Sequence, residues 1–169
     1  MTVERTDPPF LLDERASYDA WLEYHRATLL WKCDGLDAEQ LRARPVPSSL
    51  LSLHGLVRHM AEVERSWFRG ALAREEIGLG IWWDDEHPDG DFEIADGDTF
   101  EDDLAVWRDQ VDRARAIAAG HELTDTGARR STGEPVDLRW IYVHMIEEYA
   151  RHNGHADLLR ELIDGAVGD

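Results

Sequence analysis

The sequence predicts an all-α protein, one domain built as a four-helix bundle with long connecting loops. Three observations predict it. The chain has 169 residues, the size of a single domain. Apolar residues recur at three- and four-residue steps in four segments, and nowhere alternate long enough to suggest a strand. The four segments are broadly similar in length, as bundle helices are. The first spans about 13–35, with Tyr18, Trp21, Leu22, His25 and Leu29 on one stripe and Gly35 as its stop. Pro45 and Pro47 forbid a helix through the connector that follows. Ser48 or Ser49 then offers an N-cap for a second helix, about 50–74, whose stripe is Leu53, Leu56, Met60, Val63 and Trp67. Residues 75–98 are rich in Asp and Gly and have no helical period, so they form a loop long enough to be either functional or disordered. Thr99 with Asp102 makes a weak capping box for a third helix, about 99–119, which buries Phe100, Leu104, Trp107, Val111 and Ala114. A polar connector with a turn at Thr132 and Gly133 leads to Asp137, the cap of a last helix, about 137–164, that ends at Gly165. At 1.5 Å per residue this helix is about 40 Å long. The connector lengths leave the topology open.

Composition narrows the function. There are 36 acidic and 18 basic residues, a formal charge of −18, which repels phosphate backbones and anionic lipid alike. Neither nucleic acid nor a membrane is an expected partner. Lys32 is the sole lysine among the basic residues, a bias of a GC-rich genome rather than of a function. A single cysteine, Cys33, excludes an intramolecular disulfide and suits a reducing compartment. No run approaches the ~18 apolar residues of a membrane span, and the start lacks a basic-then-apolar signal pattern. The expectation is a soluble cytoplasmic protein. P-loop, GxGxxG, GxSxG and HExxH motifs are absent, and the acidic loop lacks the order of an EF-hand.

The chemistry concentrates in the last helix. With 100° per residue and Glu148 set to zero, Ile141 and Leu159 fall at about +20°, Met145 and Ile163 at about +60°, and Leu162 at about −40°. Leu138 and Ala156 lie at the edge of that stripe. Glu148 stands at its centre, with His152 at about +40°, His155 at about −20° and His144 at about −40°. A buried carboxylate without a partner costs several kcal/mol, so these groups need something to bind. Glu148 and His152 are four apart and share a face. They read as two ligands of one divalent ion, with imidazole and carboxylate suiting zinc, nickel or iron(II), or else as a buried ion pair. Spacing leaves both open. His144 and His152 are about 12 Å apart along the axis, so a third ligand must come from another helix. His59 on the second helix, beside Ser52, Gly55, Ser66 and Gly70, and His25 on the first are the candidates. Taken singly, His25 and His144 read as core histidines and His155 as a pocket residue. His87, His121 and Cys33 have no chemical company in the sequence.

Two segments, LHGLVRHMAEVERSWF and RWIYVHMIEEYARHNGHADLLRE, resemble the DinB-like (YfiT-like) metal-binding four-helix bundles. They are most similar to an actinobacterial branch of uncharacterised mini-circle proteins. YHRATLLWKCDGL and RRSTGEPVDLRW extend the resemblance over most of the chain. It implies a divalent metal at one end of the bundle, held by one histidine of the second helix and two residues of the last. Many members carry HxxxH there. Glu148 makes the pattern ExxxH, similar to that of mycothiol-dependent maleylpyruvate isomerase in the same superfamily. On that match the ligands are His59, Glu148 and His152, while His155 stands where many members carry glutamine.

Characterised relatives are thiol-dependent isomerases or S-transferases that use mycothiol, bacillithiol or glutathione. The resemblance therefore implies a metal, zinc before nickel or iron, that activates mycothiol for attack on a small electrophile. His155 or His25 would move a proton, and the loop with Trp82 and Trp83 would cover the site. A metal-binding stress-response or ligand-binding bundle without turnover is the alternative, and a plain bundle with a Glu148–His152 ion pair is a third reading. Homodimers are common among similar bundles, and seven tryptophans leave aromatic surface for one.

Overall fold

The structure, a computed structural model, describes residues 3–168. Four long helices carry it: α1 (Glu14–Cys33), α3 (Leu53–Glu64), α4 (Phe100–Ala119) and α5 (Leu138–Asp164), with a short α2 (Ala38–Arg42) after α1. α1 packs chiefly on α5 and α3 on α4, which sets the topology that loop lengths left open. Leu22 and Leu29 of α1, Leu56 and Met60 of α3, Trp107 and Val111 of α4, and Ile141 and Met145 of α5 meet in one core. Each long helix begins on a side chain that accepts an otherwise orphaned backbone N–H: Asp13, Ser52, Thr99 and Asp137. The predicted caps Thr99 and Asp137 hold. The second helix starts at Leu53 rather than near Leu50, because Ser52 is its cap and Ser48 has a left-handed φ of 66°. No helix among the described residues is long and apolar enough to cross a membrane.

Several local features differ from the periodicity reading. α2 occupies the first connector, closed by a reciprocal capping box between Asp37 and Gln40. α3 does not end at Glu64 but widens into a π-helical segment, Arg65–Leu72. Two three-residue strands, β1 (Thr126–Ala128) and β2 (Pro135–Asp137), pair antiparallel around the expected turn. Gly127 lies so close to the π segment that a Cβ there would sit 2.0 Å from the Ala71 carbonyl oxygen. The stripe of α5 is also rotated. Tyr149, Tyr142 and Asn153 are buried at about +100°, +120° and +140°, so the buried arc is centred near Leu138 and Ala156 at about +80°. Glu148 therefore borders the core instead of bisecting it. Leu162 and, on α1, Trp21 are exposed at 60% and 45%.

An ionic network crosses the core. Arg26, 4% exposed, forks onto Glu64, which is fully buried, with both N–O distances at 2.7 Å. The Tyr149 hydroxyl donates to Glu64 Oε1 at 2.8 Å, and Trp107 Nε1 donates to the Tyr149 oxygen at 3.1 Å. All four long helices, or in Glu64 the last residue of one, thus contribute to one chain of hydrogen bonds.

The segment between Ala73 and Thr99 is fastened along one face of α3 and its continuation. Gly55 makes room for Phe92, whose Cδ1 would be 2.8 Å from a Cβ. Arg58 bonds Asp98, Asp103 and the Glu93 carbonyl, and lies 5.1 Å over the Trp82 ring. Glu62 accepts the Ile81 and Trp82 amides, and Arg65 donates to the Ile77 and Leu79 carbonyls. These positions recur at three- and four-residue steps, which on a helix is one face. His59 lies on it too.

Candidate metal centre

His59 enters from the middle of α3, and Glu148 and His152 from successive turns of α5. One donor atom from each lies within 4.8 Å of the other two. The His59 and His152 rings meet edge to face at 4.6 Å, and His152 Nε2 is 3.4 Å from Glu148 Oε2. All three side chains are partly buried.

The ring nitrogens are already sorted. Asp91, on the 3-10 turn Gly90–Phe92, is 6% exposed and accepts a hydrogen bond from His59 Nδ1 at 2.8 Å. That contact fixes the proton on Nδ1 and leaves the Nε2 lone pair free, the arrangement metal-binding histidines require. The Phe92 ring stacks on His59 at 5.3 Å and limits its rotation. On α5, His152 Nδ1 faces His155 Nδ1 at 3.3 Å, so its Nε2 is the nitrogen turned to Glu148. Burial, helped by the neighbouring His59 and His155, pushes the His152 pKa down to about 3. His152 is therefore a neutral lone-pair donor at any physiological pH. An ion pair with Glu148 would need the opposite shift and a contact near 2.7–2.9 Å. Two imidazoles and a carboxylate converging on one point fit a divalent cation better.

Glu148 has a second neighbour. Its Oε1 is 3.5 Å from Nε2 of His144, and Glu147 completes another close trio. Glu147 is exposed and paired with Arg151, which makes that trio the less enclosed of the two. His144 stacks on Trp140 at 4.9 Å and meets Trp67 edge-on at 4.6 Å, and burial lowers its pKa.

The residues predicted from sequence separate into two groups. His59, Glu148 and His152 come together, with His155 directly behind His152. His25 lies on the α1 side, packed by Trp21 and Tyr24, and takes the Asn153 side-chain amide on its Nδ1 at 3.4 Å and on its carbonyl at 3.0 Å. Cys33 is buried, and burial pushes its thiol up to about 12, which disqualifies it as a nucleophile at neutral pH. Asp91 is the residue that sequence reasoning missed. Its one signal is its place between a glycine and an aromatic inside an acidic loop, and that does not distinguish it from its neighbours.

A family model described as mycothiol-S-transferase matches residues 17–165, which takes in α1 from Ser17 onward, α2 through α5 and every residue of the trio. A comparison with curated proteins finds no match. On the extent of the family match, the chain belongs to the mycothiol-S-transferase family, within the DinB-like superfamily.

Proposed function

We propose that the protein is a divalent-metal-dependent S-transferase or isomerase that uses mycothiol as its thiol, with His59, Glu148 and His152 as the metal ligands. The observation that carries this reading is the convergence of three donors within 4.8 Å, one of them a histidine held neutral by burial. Zinc suits the donor set best, and nickel or iron(II) would also be accepted. When bound, such an ion lowers the pKa of a coordinated thiol into the neutral range and so supplies a thiolate. The nucleophile comes from the small-molecule thiol, which agrees with a single, inert cysteine.

The chain's own residues do the rest. Asp91 orients His59, and the His155 ring buttresses His152 from outside the ligand set. In the transfer, the thiol sulfur forms a bond to a carbon of the electrophile, and the leaving group departs with the bonding pair. The thiol proton needs an acceptor near the site. Of the two imidazoles considered for that task, His155 touches the ligand set and His25 does not, so the role falls to His155. Homodimerisation in the cytoplasm belongs to the same reading, with exposed Leu158 and Leu162 as apolar side chains a second copy would cover.

Elemental analysis of protein purified without a metal-affinity tag tests the centre. About one equivalent of metal is expected in the parent and none in His59→Ala or Glu148→Ala. Mycothiol consumption with a panel of electrophiles then tests the chemistry. A parent chain that takes up no metal even after zinc addition would sink the reading.

A further inference from the structure

Next to the metal centre is a second feature the transfer chemistry does not use. The π-helical segment, the β-hairpin and the first turn of α5 border an open recess of about 640 Å³. Its floor is aromatic: Trp67 from the π segment and Trp140 from α5, with ring centroids 5.1 Å apart. Trp140 is 47% exposed even with His144 stacked on it, so much of the indole stays open to the recess. The rim is polar, with Arg129, Glu134 and Asp137. The Arg129 guanidinium has no ion-pair partner among the described residues, whereas most of the chain's arginines are paired.

Recess and metal centre adjoin. His144 touches both tryptophans, and its Nε2 is 3.5 Å from Glu148, one of the three converging donors. Trp140 and Glu148 are eight residues apart on α5, about 12 Å along the axis. A ligand with its sulfur at the centre would have to span that distance, about a cysteinyl amide and one sugar ring, to set a further ring over Trp140.

The lining selects the chemistry of that group. An indole face takes an apolar ring face, and a plain aromatic ring would satisfy it. Such a ring would make no use of the Arg129 guanidinium, nor of the lone pairs left on Glu134 and Asp137 beyond the bonds they accept from Thr132 and the Trp140 amide. A polyol ring satisfies both halves. Its C–H face lies on the indole, while its hydroxyls accept from Arg129 and donate to Glu134 and Asp137. We propose that the Trp67–Trp140 recess is a subsite for a polyol or sugar ring carried by the thiol co-substrate. For mycothiol this is the glucosaminyl-inositol end of the molecule. The assignment of the ring to a thiol rests on the transferase reading; the recess itself does not.

Two probes keep the two apart. Glucosaminyl-inositol carries the polyol without the thiol, and N-acetylcysteine carries the thiol without the polyol. In calorimetric titrations of the metal-loaded protein, glucosaminyl-inositol should bind the parent. Trp140→Ala should weaken it about tenfold or more, and Trp140→Phe should recover part of that loss. Metal content and helical circular dichroism, measured on each variant, should stay at the parent's values. Glucosaminyl-inositol that fails to bind the parent, or that binds Trp140→Ala as tightly, would overturn the subsite. If glucosaminyl-inositol binds the parent but mycothiol binds no tighter than it and N-acetylcysteine not at all, the sulfur finds no partner at the centre, so the transferase reading falls and the subsite stands.

Discussion

Replacing Asp91 with alanine should weaken zinc binding without removing any ligand. The carboxylate accepts from His59 Nδ1 at 2.8 Å, within the range of a charge-assisted hydrogen bond, and at 6% exposure little water can take its place. Without it the His59 proton is free to move to Nε2, the nitrogen a metal needs, and the ring gains rotation that Phe92 alone limits. Partners of this kind are worth about 10–100-fold in metal affinity, or about 1.4–2.8 kcal/mol. Asp91→Asn keeps an oxygen that can accept the same proton and should recover most of that loss. Competition against a chromogenic chelator reads the affinity directly, and thermal melts of the metal-free variants separate it from a general loss of fold. If Asp91→Ala binds zinc as tightly as the parent, then Asp91 does not position His59 and the tautomer reasoning is wrong.

Three other outcomes are expected. Glu64→Ala leaves the Arg26 guanidinium buried with its main partner gone and should cost about 3–5 kcal/mol in urea unfolding; a loss under 1 kcal/mol would mean the network does not hold the four helices together. Cys33→Ala should leave thiol-transfer turnover unchanged, because a thiol pushed up to about 12 supplies no thiolate; a large fall in kcat would reopen Cys33 as a participant. The metal-free protein should lose stability as pH falls from about 6.5 toward 3. His152 has an ordinary pKa of 6.5 and about 3 in the folded chain, so between those values the unfolded state takes up a proton that the folded state refuses. Burial lowers His25, His54 and His144 as well, with the same sign, and above pH 6.5 none of them contributes. A urea midpoint that stays flat from pH 6.5 to 5 would refute this.

The bundle was legible because each long helix carries its own period and its own cap. Thr99 and Asp137 announce α4 and α5 in a few residues, and local hydrogen bonds are what a local sequence encodes. The trio was legible for a related reason: ExxxH on one helix needs only helical geometry, and the family resemblance supplied His59. The angular reading of α5 differs from the structure because Tyr142 and Tyr149 belong to the buried stripe. Their hydroxyls are satisfied inside the core, by Asp19 and Glu64, so they bury like apolar residues. Arg26 and Glu64 give no sign of their pairing, since 38 residues separate them and each would look natural on a solvated face. Asp91 is hidden the same way, meeting His59 across 32 residues through a turn that no period foretells. The π segment breaks the helical repeat by widening it, and β1 and β2 are too short to alternate.

The fastening of residues 74–98 along α3 makes metal occupancy and loop order two faces of one equilibrium. Asp91 reaches His59 from the same stretch of chain that Glu62 holds at the Ile81 and Trp82 amides and Arg65 at the Ile77 and Leu79 carbonyls, all against the same helix. By linkage, whatever a bound ion gains from an oriented His59 is returned as protection of that stretch. The Ile81 and Trp82 amides should then exchange with deuterium more slowly in the metal-loaded protein and faster after chelation, by the same factor that Asp91 contributes to affinity. Hydrogen exchange at two backbone positions would thus report the state of the centre without any thiol being present.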